Sequence, residues 1–201
     1  MTELTELRGK EQERLIRFQL RNFGKMRKSF VSSEPLFIPT ADKYHTEIDA
    51  IFISSAGIFI IESKHMTGAV SGKPSDRLWT KSGDGYVMSF INPVRQNRKH
   101  LEAAAGYFQV NTNLCQSIIV FNDECRLANT ELGYGTLIVK ISGLIQTLEQ
   151  LHKTDKIPDE LLTELIRKAE KLPSGKKAEA QHLAEIKETK QNRRSKKERR
   201  H

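Results

Sequence analysis

Residues 47–64 read EIDAIFISSAGIFIIESK, two apolar β-type runs on either side of a Ser-Ser-Ala-Gly turn. Charged side chains stand at the outer ends of both runs, at Glu47, Asp49, Glu62 and Lys64. Burying a charged side chain is costly unless it is paired or binds a metal ion. The sequence therefore predicts a buried β-hairpin whose open end carries charges for a specific purpose.

The register of this hairpin determines which charges face one another. Side chains alternate along a strand, so Glu62 and Lys64 point to the same face. A two-residue turn, Ser55-Ala56, puts Asp49 directly opposite Glu62, with Cβ atoms about 5 Å apart. A turn that includes Gly57 as a bulge shifts the pairing by one residue and turns Asp49 to the other face. Only the first register lets the two carboxylates share one cation.

Two carboxylates this close repel each other as ions but together bind one Mg²⁺ or Mn²⁺ well. Carboxylate oxygens, a backbone carbonyl and waters suit magnesium better than zinc. Lys64 would lie beside the cation, where its ammonium orients a water or stabilises charge on phosphate oxygens. The alternative is an internal ion-pair network of Asp49, Glu62 and Lys64 at the end of a sheet.

The rest of the chain predicts an α/β domain with a mixed central sheet flanked by helices. Residues 58–61 are apolar on both faces, which predicts a central strand covered on both sides. Asn92 followed by Pro93 predicts a capped helix start. The predicted helices are 11–22, 93–109, 141–152 and 158–172, and the predicted strands are 47–53, 58–64, 78–81, 86–90, 116–121 and 136–140.

The basic character of the chain is concentrated at its C-terminal end. The 201 residues carry a net charge of +8, and residues 174–201 hold ten Lys or Arg against four Glu. Pro173-Ser174-Gly175 ends the last predicted helix, so we predict a domain at 1–173 and a basic, disordered tail at 174–201. The tail is either solvated or an arm that attracts phosphates.

The cysteines, the first residues and the apolar runs together indicate where the protein is located. Cys115 and Cys125 lack the spacing of a zinc site. The first residues are charged rather than apolar, and the longest apolar run is too short to span a bilayer. The sequence predicts a soluble, cytoplasmic protein with no membrane association.

Six short motifs follow one another between about residues 7 and 121. They are Gly9-Lys10-Glu11-Gln12-Glu13, Glu47-Ile48-Asp49, GIFIIESK at 57–64, Gly68, Trp79 and Asn92-Pro93-Val94-Arg95-Gln96. Together they resemble the nuclease-related domain (NERD) family of the PD-(D/E)xK nuclease superfamily. The resemblance implies a restriction-endonuclease-like core.

The resemblance also assigns roles to five side chains. Asp49 and Glu62 correspond to metal ligands, and Lys64 corresponds to the catalytic lysine. Glu13 corresponds to an acid of the first helix that approaches the same site, and Gln96 to a helix glutamine that faces it.

One position departs from the family pattern. Gln12 stands where the family usually has Gly, so Glu11 competes with Glu13 for the role of the first-helix acid.

By this resemblance the protein is a hydrolase, a metal-dependent nuclease that cuts phosphodiester bonds, with DNA as the expected substrate. Mg²⁺ or Mn²⁺ would be held by Asp49, Glu62, the Ser63 carbonyl and Glu13. Lys64 and Gln96 would position water and phosphate.

Two other functions fit the same residues. One is a nuclease-like fold that binds nucleic acid or a protein without cutting, and the other is an enzyme acting on RNA. A homodimer would match relatives that cut two strands, and a separate helicase or other DNA-processing partner would supply any unwinding.

Three further residues are expected to be structural. His100 shares a helix face with Gln96 at i, i+4 and is expected to be an ordinary half-buried residue. Trp79 is expected in a core or as a hairpin staple, and Glu47 in a structural ion pair.

Overall fold

The computed structural model of the protein describes residues 3–40, 44–83, 85–130, 133 and 135–198. The helices are α1 (Glu3–Gly24), α2 (Pro93–Phe108), α3 (Leu144–Leu151), α4 (Asp159–Ala169) and α5 (Gly175–Glu198). The strands are β1 (Phe30–Val31), β2 (Leu36–Pro39), β3 (His45–Ile48), β4 (Ala50–Ser54), β5 (Gly57–Lys64), β6 (Ala69–Gly72), β7 (Leu78–Gly83), β8 (Tyr86–Ile91), β9 (Cys115–Phe121), β10 (Arg126–Thr130) and β11 (Leu137–Lys140). The predicted α/β architecture is confirmed.

A mixed five-stranded sheet lies at the centre, in the order β1-β4-β5-β9-β11. β4 pairs antiparallel with β1 and β5, whereas β5, β9 and β11 run parallel. Ile58 and Ile60 pack with α2 and α4 on one face, and Phe59 and Ile61 pack with α1 and α3 on the other. Because helices cover both faces, the apolar part of β5 is buried throughout, as its sequence predicts.

The β4–β5 hairpin has the register that the metal hypothesis requires. Ala50 pairs with Ile61 and Ser54 with Gly57, so Ser55-Ala56 is the two-residue turn. Gly57 has φ +148°, and a Cβ there would lie 3.1 Å from the Leu114 carbonyl oxygen. Glycine therefore suits the start of β5 because the neighbouring backbone leaves little room for a side chain.

The strand predicted for residues 47–53 is broken at Asp49. β3 ends at Ile48 and pairs with β2, whereas β4 begins at Ala50 and pairs with β5. Asp49 lies in the bend, where its side chain accepts a hydrogen bond from the Ser63 backbone N–H at 2.7 Å. The Asp49 side chain thus accepts the Ser63 N–H, which a backbone carbonyl would accept if β4 continued. The chain before Asp49 leaves the central sheet and belongs to the β2–β3 hairpin.

A second, four-stranded sheet, in the order β10-β6-β7-β8, contains the predicted hairpin at residues 78–90. Trp79 is fully buried, and its Nε1–H donates to the Lys73 carbonyl at 2.9 Å. The prediction that Trp79 is a core residue is confirmed.

Helix α2 begins where the sequence predicts. The Asn92 side chain accepts the Val94 backbone N–H at 2.9 Å, and Pro93 occupies the first turn. Gln109 ends the helix in the left-handed conformation, with φ 57°. Gln96 and His100, four residues apart on α2, both contact β5.

Residues 175–189 of the predicted tail are helical and contact the β2–β3 hairpin. The His182 ring lies 5.3 Å from the Phe37 ring, and Glu185 accepts the His45 backbone N–H at 2.8 Å. Ala178 is buried on the same helix face, because 178, 182 and 185 are spaced by four and three residues. The packed part of the protein therefore extends past the predicted boundary at residue 173. Helix α5 continues to Glu198, and residues 199–201 of the predicted disordered tail lie outside the described residues.

In the part of the chain that the structure describes, no helix is long and apolar enough to cross a membrane.

Candidate metal and catalytic site

Glu62 and Lys64 lie together at the end of β5, on the face that α2 covers. Glu62 is only 2% exposed, and one of its oxygens accepts a short hydrogen bond from the Lys64 ammonium. Lys64 Nζ also donates to Gln96 Oε1 at 3.2 Å. The structure thus brings together three of the predicted site residues, two from one strand and one from the facing helix.

The charges of this pair support each other. Burial raises the pKa of Glu62, but the Lys64 ammonium and His100 outweigh it, so the net pKa lies below the usual value. Burial lowers the pKa of Lys64, but the Glu62 carboxylate outweighs it and the net pKa is raised. The pair is therefore a carboxylate and an ammonium at neutral pH.

His100, which the sequence predicts to be an ordinary half-buried helix residue, is buried and lies against Glu62. Its Nε2 lies 3.4 Å from the second oxygen of Glu62, and its Nδ1 lies 2.8 Å from the Thr46 hydroxyl. Its i, i+4 spacing from Gln96 predicts a shared helix face, and the structure shows that this face reaches both Lys64 and Glu62. Thr46 carries no comparable signal in the sequence.

Both the side chain and the backbone carbonyl of Asp49 accept hydrogen bonds. Its carboxylate accepts the Ser63 N–H, and its carbonyl accepts from Arg17 Nη1 at 2.6 Å. Burial raises the pKa of Asp49 well above its usual value, and the nearby carboxylates of Glu62 and Glu13 raise it further. Negative charge is therefore disfavoured at Asp49 without a cation.

The Ser63 carbonyl lies on the same side of β5 as Asp49. The N–H and C=O of a strand residue point to the same neighbour, and the Ser63 N–H points to Asp49. In the described part of the chain, β4 begins at Ala50, so no β4 residue pairs with Ser63. An oxygen ligand is thus available beside the carboxylate.

Glu13, and not Glu11, is turned toward this site. Glu13 lies 3.5 Å from Arg17 in an ion pair, and its side chain is 23% exposed. Burial raises the pKa of Glu13, Arg17 opposes this, and Glu62 adds to the rise, so the two acids are within electrostatic reach. Glu11 is exposed.

Gln12 connects α1 to the central sheet. It is buried, and its Nε2 donates to Ser63 Oγ at 3.1 Å and to the Val120 carbonyl at 3.2 Å. A glycine could not make these bonds, so the departure from the family pattern adds a direct contact between α1 and the site strand.

A cleft of about 290 Å³ opens beside Glu13, between α1 and the first turn of α5. Glu47 also lines this cleft, and burial raises the pKa of Glu47. The α1 side of the cleft presents Lys10 and Arg14, and the α5 side presents Lys176. Glu47 therefore faces the same open space as Glu13.

The residues at this site fit a hard divalent cation. Asp49, Glu62, Glu13 and the Ser63 carbonyl supply only oxygen donors, and a cation would offset the burial and the mutual repulsion that raise the pKa of Asp49. Among the described residues, no three His, Cys, Asp or Glu side chains lie close enough to hold a metal by themselves. A cation here would depend on backbone and water oxygens as well, as Mg²⁺ usually does.

The mixed sheet, the two-residue hairpin and the Asp, Glu-x-Lys arrangement define a protein of the nuclease-related type. Residues 8–122 match the family model of the nuclease-related domain, NERD. The chain belongs to this family. An uncharacterized protein of Bacillus anthracis is 29% identical over 120 residues, which are 60% of this chain and 55% of that relative. The chain thus spans about half the length of this relative. No solved structure was found to match the chain.

Proposed function

We propose that the protein is a metal-dependent nuclease of the cytoplasm that hydrolyses phosphodiester bonds in DNA. The observation that carries this proposal is the placement of buried Glu62 beside half-buried Lys64, with the Asp49 carboxylate hydrogen-bonded to the Ser63 N–H between them in sequence. A lone buried carboxylate in this place would be costly, and a cation binding site supplies a reason for keeping three acids near one lysine.

The chain's own residues divide the work in this proposal. Asp49, Glu62, the Ser63 carbonyl and Glu13 would hold Mg²⁺ or Mn²⁺. When bound, such a cation supplies a water of lowered pKa and neutralises phosphate charge. Lys64, fixed between Glu62 and Gln96, keeps a positive charge at the site and stabilises the negative charge that develops on the phosphate oxygens. Gln96 orients the Lys64 ammonium.

The test incubates purified full-length protein with plasmid or single-stranded DNA in Mg²⁺, Mn²⁺ or EDTA. We expect cleavage with either metal, none in EDTA, and a loss of about 100-fold or more in Lys64→Ala. Lys140→Ala is the matched control, because Lys140 also ends a strand of the sheet but donates to the Asn122 and Asp123 carbonyls. Cleavage that persists in EDTA, or is undiminished in Lys64→Ala, contradicts the proposal.

A second candidate function is a binding module that does not cut. The observation that favours it is that Glu62 already contacts Lys64, whose ammonium balances its charge without a metal, and also lies against His100. DNA binding with no cleavage in any metal would support this candidate. Comparing RNA with DNA in the same assay identifies the nucleic acid.

The basic end adds to binding in this proposal. Residues 190–201 carry seven Lys or Arg and one Glu. Deleting them, while keeping the part of α5 that packs on the β2–β3 hairpin, should weaken DNA binding and reduce its dependence on salt concentration. An unchanged salt dependence would indicate that this segment does not contact phosphates.

A homodimer and a separate helicase or other DNA-processing protein remain proposed partners, to be tested by light scattering and co-purification.

A further inference from the structure

The carboxylate of Glu62 is contacted at both oxygens. Lys64 contacts Oε1, and His100 Nε2 lies 3.4 Å from Oε2. His100 is 6% exposed, so its ring is fixed by packing against the surrounding protein rather than by water. The orientation of the Glu62 carboxylate therefore depends on two neighbours, of which only Lys64 belongs to the family's motif.

Thr46 determines which edge of the His100 ring meets Glu62. The Thr46 hydroxyl lies 2.8 Å from Nδ1 and can donate its hydrogen there. A neutral ring that accepts at Nδ1 carries its hydrogen at Nε2. Among the described residues Nε2 has no hydrogen-bond partner, and the nearby carboxylate oxygen of Glu62 is the acceptor that it faces.

The three residues come from three separate elements. Thr46 is on β3, Glu62 on β5 and His100 on α2. Since β3 belongs to the two-stranded β2–β3 hairpin and not to the central sheet, this hairpin has a direct connection to the site. Rotating the His100 ring or removing the hydroxyl would free one oxygen of Glu62 to turn.

We propose that His100, oriented by Thr46, is a positioning residue that fixes the Glu62 carboxylate for cation binding. This inference rests on the proposed function, since it assigns His100 to the cation site. Ring nitrogens and carboxylates commonly form such outer contacts around metal ligands, and removing one typically weakens metal binding 10- to 100-fold. The same range is expected here.

The experiment measures Mn²⁺ binding to the full chain by isothermal titration calorimetry, without nucleic acid. We expect His100→Leu to weaken binding about 10- to 100-fold and Thr46→Val to weaken it by a smaller factor. His100→Gln, whose amide N–H can reach toward Glu62, should recover part of the loss. Thermal unfolding of each variant verifies that it folds. If His100→Leu does not fold, Thr46→Val serves as the milder test of the same contact.

The matched control is His152→Leu. His152 is a second histidine paired with a hydroxyl, since its Nε2 lies 2.7 Å from Ser54 Oγ, at the opposite end of the β4–β5 hairpin. We expect His152→Leu to lower stability and leave Mn²⁺ affinity unchanged. If His152→Leu weakens Mn²⁺ binding as much as His100→Leu does, the effect is general destabilisation and the inference is overturned.

The outcomes separate this inference from the function on which it rests. Wild-type binding with undiminished binding in both His100→Leu and Thr46→Val overturns the positioning role and leaves the nuclease proposal standing. Failure of the wild-type protein to bind Mn²⁺ overturns the cation site and the positioning role together. Weaker binding in both variants, with recovery in His100→Gln, supports the inference.

Discussion

The two ends of the β4–β5 hairpin carry the same chemical pair in opposite surroundings. At the turn, the Ser54 hydroxyl and His152 Nε2 lie 2.7 Å apart, and at the open end the Thr46 hydroxyl and His100 Nδ1 lie 2.8 Å apart. The His152 ring packs against three phenylalanine rings, whereas the His100 ring faces the Glu62 carboxylate.

The comparison shows that a histidine–hydroxyl hydrogen bond inside the fold is not by itself a site. At the turn, burial lowers the pKa of His152, so the neutral ring behaves as one more aromatic in the core. At the open end the same pair meets a carboxylate whose strand neighbour is a lysine, and it becomes part of a charged network. In the proposed function, the role of each histidine depends on what its second ring nitrogen faces.

The largest effect should come from the turn end. Phe59→Ala removes a ring that stacks on Phe52 and His152, with centroids 5.7 and 5.6 Å away, and should lower the free energy of unfolding by about 3–5 kcal/mol. Urea denaturation measures this, and Mn²⁺ affinity should not change. Phe18→Ala, at an exposed position of α1, is the control and should change stability by less than about 0.5 kcal/mol.

At the open end, Lys64→Met should cost about 3 kcal/mol of unfolding free energy, because it leaves Glu62 charged and buried without its ammonium. Adding Glu62→Gln to Lys64→Met should restore part of the loss in urea denaturation. Lys140→Met is the matched control and should cost less. A double variant no more stable than the single one would show that the pair is not the source of the cost.

Asp49→Asn should raise the free energy of unfolding of the metal-free protein, whereas Lys64→Met lowers it. The folded-state pKa of Asp49 is raised by burial and by Glu62, so the folded protein holds its proton more tightly than the unfolded chain. Stability is therefore lost as pH rises from the unfolded value, about 3.9, through the folded pKa. Asn keeps the acceptor for the Ser63 N–H and cannot ionise.

The measurement is urea denaturation of wild type and Asp49→Asn between acid and neutral pH, in EDTA. The variant should be the more stable at neutral pH, and the difference should shrink in acid. With Mn²⁺ added, only the wild type should gain stability, by about 2.7 kcal/mol at a hundred times Kd. A difference that does not depend on pH would show that Asp49 is not the titrating group.

The smallest effects distinguish the two hydroxyls. Ser54→Ala and Thr46→Val should each cost about 1 kcal/mol of unfolding free energy, the usual cost of one hydrogen bond. Only Thr46→Val should also weaken Mn²⁺ binding. Equal Mn²⁺ affinities in the two variants would remove the functional difference between the two ends of the hairpin.

The parts of the fold with short-range signals were predictable from the sequence. The two-residue turn and alternating apolar residues predicted the β4–β5 register, and Asn92 with Pro93 predicted the start of α2. The bend at Asp49 was missed because it depends on the Ser63 N–H, fourteen residues away. Residues 175–189 were assigned to a tail because their composition is polar. Positions 178, 182 and 185 have the spacing of one helix face, but only Ala178 among them is apolar, so they give no hydrophobic period.

For the site, the sequence by itself determined which charged residues stand at the open end of the hairpin. Alternation along β5 puts Glu62 and Lys64 on one face, since a strand has a period of two residues. The tertiary structure decided which groups share the Glu62 carboxylate. Thr46, Glu62 and His100 meet only because the β2–β3 hairpin and α2 both pack at this end of the sheet. Contacts between distant segments arise from packing, and residue spacing along the chain carries no record of them.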